Sequence, residues 1–138
     1  MSARTKARKR ALDLLYGADL REISLNNAIA VESERAATEP ARQESWRYAL
    51  QIVTGIAEHG DEIDELIETY AQGWTIDRMP VLDRALVRIG IWEIMFNDEV
   101  PDAVAISEAV KLAGELSTDD SAGFVNGLLA RIASVHGA

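Results

Sequence analysis

The chain has 138 residues, 48% hydrophobic and 27% charged, a balance that fits one globular domain burying about 68% of its unfolded surface. It contains no cysteine, which excludes disulfides and thiolate metal sites, and no apolar run of 18 residues; a soluble, cytoplasmic protein is expected. The net charge is −9, yet Arg4, Lys6, Arg8, Lys9 and Arg10 crowd the first ten positions without an acid, so that residues 11–138 carry −14. Such a body repels nucleic acid and membranes and suits a basic protein partner, whereas the front end suits an anion. A basic tail that only aids solubility is the simpler reading. These charges, however, fall on the first turns of an expected helix, where the macrodipole disfavours cations, and a functional role explains that cost better. The start also imitates a transit peptide, but a helix with core spacing follows it directly.

The first helix is expected over about residues 4–20, with Ala7, Ala11, Leu14, Leu15 and Ala18 as its core stripe. Lys6, Lys9 and Arg10 fall opposite that stripe, and Arg8 also lies off it. Leu12 and Tyr16 sit to its flank, where a second packed surface can form. Ser24 suits the N-cap of a second helix that fades into the polar "ESERAATEP". Trp46, Leu50, Val53 and Ile56 mark a third helix ending at Gly60, and Asp61 can cap a fourth that runs through Ile63, Leu66, Ile67 and Tyr70 to Gly73. In "PVLDRALVRIGIWEIMF", Val87, Ile89 and Ile91 alternate like a strand. Its length and the spacing of Leu82, Ala85, Leu86, Ile89 and Phe96 favour a buried central helix. Gly90 inside it costs about 1 kcal/mol relative to alanine unless another backbone packs close. Helices after Pro101 and after "STDDS" complete about seven, with no convincing strand. The chain is therefore expected to be all-α, with one helical subdomain over about residues 1–73 and a second over 74–138.

Catalytic chemistry is missing. His59 is placed to interact with a helix C-terminus, His136 lies near the chain end, and no GxSxG, HExxH, P-loop or GxGxxG occurs. The carboxylates fall on polar faces, and helix capping accounts for Asp119 and Asp120 without a metal. No enzyme, cofactor or metal site is expected.

The stretches "WTIDRMPVLDRALVRIGIWEI" (74–94), "VPDAVAISEAVKLAGELSTDDSAGFVNGLLARI" (100–132) and "ARKRALDLLY" (7–16) resemble the NusB family of bacterial transcription antitermination factors. The resemblance spans nearly the whole chain, although residues 24–60 match only in pattern. It implies a non-catalytic protein that binds single-stranded boxA RNA in nascent ribosomal transcripts together with NusE, a small-subunit ribosomal protein. That assembly joins elongating RNA polymerase and other Nus factors. It further implies RNA contact through the basic stretch Arg4, Lys6, Arg8, Lys9 and Arg10 and near Asp120 and Phe124. NusE contact is implied at Tyr16 and Asp83, with Leu12 beside Tyr16 on the flank. Phe124 also has core-like spacing to Leu128, and Asp120 also suits the cap of the last helix. Gly123 and Gly127 suggest close helix packing. Ser107 and Gly114 depart from the family's usual asparagine and lysine. Two other classes stand beside this one: a protein adaptor without RNA specificity and, as the resemblance also implies but less favoured, a stand-alone relative of the helical domain found in ribosomal RNA cytosine methyltransferases.

Overall fold

Serine and proline set where several helices begin. Ser2 Oγ accepts the Thr5 N–H at 3.1 Å and Ser24 Oγ the Asn27 N–H at 3.0 Å, while Pro40 opens one helix and Pro80 and Pro101 immediately precede two others. The computed structural model describes residues 2–137. Among them are α1 (Ala3–Arg21), α2 (Leu25–Thr38), α3 (Pro40–Glu58), α4 (Gly60–Tyr70), α5 (Val81–Phe96), α6 (Asp102–Leu116) and α7 (Ser121–His136), one 3₁₀ turn at Ile76–Arg78, and no strand.

Three boundaries differ from expectation. The second helix continues through "ESERAAT" to Thr38, because Glu32 within it faces Arg10, Arg35 and Arg42 and Ala36 is buried. Gly60 begins α4 instead of ending α3. Asp61 lies inside the first turn of α4 with Glu62, where both complement the dipole without capping it. His59 is the single residue between the two helices, and its ring stacks on Phe96 at 3.9 Å between centroids.

The segment that alternated like a strand is α5, the central helix. It packs against α1, α3, α4, α6 and α7, and ten of its residues are buried. A continuous apolar core runs from Ala7 to Ile132 through both halves of the chain. Close approach at Gly90 comes from a side chain, not a backbone: an added Cβ would lie 2.6 Å from Leu129 Cδ1. The tightest glycine contact is one that no sequence pattern marked. At Gly55 an added Cβ would lie 1.8 Å from Trp92 Nε1, so the indole occupies the space of the missing side chain. Gly123, by contrast, has open space, and Gly127 would meet only Arg131 Nη1 at 3.3 Å, so neither glycine serves helix packing.

Candidate nucleic-acid interface

The five cations in the first ten residues, all on α1, divide into two groups because three helices surround this one. Contacts with α2, α3 and α5 bury an arc wider than a single stripe, and it takes in Arg8 and Leu12 along with Ala7, Ala11, Leu15 and Ala18. Arg8 is therefore no surface cation: its side chain is 3% exposed. Its Nε donates to Glu93 Oε1 and its Nη2 to Glu93 Oε2, both at 2.9 Å, and Nη1 reaches Glu108 Oε1 at 3.2 Å. The Tyr48 hydroxyl also donates to Glu93, Asn97 Nδ2 donates to that hydroxyl at 3.0 Å, and Thr5 Oγ1 donates to Glu108 at 2.7 Å.

Burial opposes the charge on Arg8, but its hydrogen bonds to Glu93 and the charge there outweigh it and hold its pKa above the ordinary value. Burial, reinforced by the bond to Glu93, likewise raises the pKa of Tyr48. Arg8 therefore keeps its charge and Tyr48 its proton near neutral pH, in a hydrogen-bonded network that joins α1, α3, α5 and α6. Arg10 is structural too. It pairs with Glu32 on α2, donates to the Arg42 carbonyl and Ser45 Oγ on α3, and lies 5.4 Å over the Trp46 ring.

Arg4, Lys6 and Lys9 remain at the surface. Arg4 meets Glu99 at 3.0 Å and lies over Tyr48, Lys9 meets Asp13 at 2.6 Å, and Lys6 pairs with no carboxylate among the described residues. Exposed pairs of this kind are worth about 0–1 kcal/mol and yield readily to a phosphate. The charge asymmetry extends beyond α1. Up to Arg47 the chain has nine basic and seven acidic residues; beyond it, five and sixteen.

The flank expected to meet a protein partner also changes. Leu12 is fully buried in the core and is unavailable as a contact. Asp83 is buried as well, its two oxygens facing the Ser117 and Ser121 hydroxyls (the latter at 2.8 Å), which ties α5 to the α6–α7 corner. Tyr16 is 39% exposed, and Leu20, one turn on, is more so, leaving an apolar pair on the outer face of α1.

Asp120 and Phe124 come together at the start of α7. Asp120 precedes the helix but makes no capping bond with its side chain, leaving its carboxylate at the surface. Phe124 is half-buried, and Trp74 meets it at 6.1 Å between centroids and 62° between planes.

The sequence-based site missed Tyr48, Glu93 and Glu108. One signal was present: Glu93 is the only acid between Asp83 and Asp98, in a strongly apolar segment, and a buried acid demands a counter-charge.

The NusB family model matches residues 5–134. The chain belongs to the NusB family. Among relatives, the family's "Transcription antitermination protein NusB" from Leifsonia xyli subsp. xyli is 71% identical, the match covering 96% of this chain and 92% of that protein. A solved NusB from T. maritima superposes with a TM-score of 0.80 at 31% identity, covering 98% of this chain and 93% of that one. A chain from a solved complex of antitermination factors NusB and NusE with double-stranded RNA gives a TM-score of 0.78 at 28% identity, covering 98% of each. No helix among the described residues is long and apolar enough to cross a membrane.

Proposed function

We propose that this chain is a cytoplasmic, non-catalytic transcription antitermination factor that binds single-stranded boxA RNA together with NusE and joins elongating RNA polymerase with other Nus factors. The observation that carries this is the cluster of surface cations Arg4, Lys6 and Lys9 on an otherwise acidic molecule of the NusB family. In this reading those three meet RNA phosphates, while Arg8 and Arg10 hold the helix that presents them. Tyr16 and Leu20 form the apolar centre of the NusE contact, and Asp120 and Phe124 lie on the RNA path. The acidic remainder of the chain favours a basic protein partner and adds nothing to RNA affinity.

The test is fluorescence anisotropy of labelled boxA RNA, a scrambled strand and a duplex across a salt series, with and without NusE. BoxA should bind best, NusE should tighten it, and the log–log salt slope should be about −2 to −3. Replacing Lys6 and Lys9 together with alanine should make that slope shallower by about 1.4, two phosphate contacts on a single strand. If no RNA binds in any mixture while NusE still associates, the chain is a protein adaptor.

Tyr16→Asp should weaken NusE association by about 2 kcal/mol or more in calorimetry, because it places a charge at the centre of an apolar contact. Its melting temperature should move by no more than about 2 °C. A large fall in melting temperature with unchanged NusE affinity would place Tyr16 in the core instead.

A further inference from the structure

We propose that Trp74 is the stacking platform for one unpaired base of the bound RNA; this rests on the RNA-binding role proposed above and specifies one part of it. Trp74 follows Gly73, whose φ of +93° turns the chain between α4 and α5. It is 51% exposed, whereas Trp46 and Trp92 are 5% and 7% exposed. An indole left half in water forgoes the burial that the other two obtain, and no described residue covers its exposed half.

The indole is nevertheless held in place. Its edge-on contact with Phe124 fixes the two rings and leaves aromatic surface facing a pocket of 290 Å³. Met79 and Pro80 make the apolar wall of that pocket, and Asp120 lies on its polar side. A planar ring that stacks on the indole can present edge N–H donors to the Asp120 carboxylate, which α7 does not use as its cap. The same carboxylate repels phosphate, so the pocket selects a base and leaves the backbone outside. An apolar side chain from a protein partner would fill the volume but would leave this acceptor unused.

Trp74 also provides its own reporter. In the complex with NusE, the emission difference between wild-type protein and Trp74→Phe isolates this indole. Adding boxA RNA should quench that component and shield it from iodide. Trp74→Ala should weaken RNA binding about tenfold or more while leaving NusE affinity unchanged, and Trp74→Phe should keep most of the affinity. An abasic nucleotide scanned through boxA should abolish the quench at one position, and at that position should weaken wild type more than Trp74→Ala.

RNA that binds both proteins equally, with no change in the Trp74 signal, overturns the proposal and leaves the RNA-binding role intact. Shielding of Trp74 by NusE before RNA is added also overturns it, because the pocket then holds a protein side chain. Absence of RNA binding in anisotropy removes the proposed function and this inference together.

Discussion

Arg8→Ala is expected to cost about 3–5 kcal/mol of folding stability, although its position in a basic N-terminal run suggests a surface change that touches RNA binding and not the fold. The substitution leaves Glu93, only 1% exposed, without the guanidinium that forms a bidentate pair with it. The Glu108 carboxylate loses a donor as well. Against a margin of about 5–15 kcal/mol for a domain, that loss should appear as a large fall in the urea midpoint with little change in slope. Arg8→Lys should recover only part of it, since one ammonium cannot reproduce the planar fork that engages both Glu93 oxygens. A loss below about 1 kcal/mol, accompanied by weaker RNA binding, would return Arg8 to the surface group.

Gly55→Ala should destabilise by about 3 kcal/mol or more, at the upper end of overpacking in cores. The added methyl would overlap the Trp92 indole at 1.8 Å, and α3 and α5 cannot part there without disturbing Tyr48, whose ring lies 6.2 Å from Trp92. Denaturation monitored by near-ultraviolet circular dichroism reads both stability and the altered Trp92 environment. Gly123→Ala, in open space on α7, is the control and should lose no stability, since alanine is the better helix former. Equal losses at the two positions would mean that the Trp92 contact is not what limits residue 55.

Much of the architecture was legible because its causes are local. Ser24 and Pro101 act on the turn beside them, so the helix starts they imply were found where the sequence put them. The central helix was distinguished from a strand by length and spacing. Errors arose where the deciding neighbour was distant in sequence. Glu32 rescued the polar end of α2 through Arg10 and Arg42.

The candidate site followed the same division. Residue types and spacing determined that the protein is helical, acidic in its body and basic at its start, and the quoted motifs pointed to its family. Only the tertiary structure decided which cations face water. Arg8 and Lys9 are adjacent and both positive, but Arg8 finds its counter-charges 85 and 100 residues away, whereas Lys9 finds its own one turn along α1. A side chain's charge is local, but whether that charge is free depends on which helices close around it, and those contacts span most of the chain.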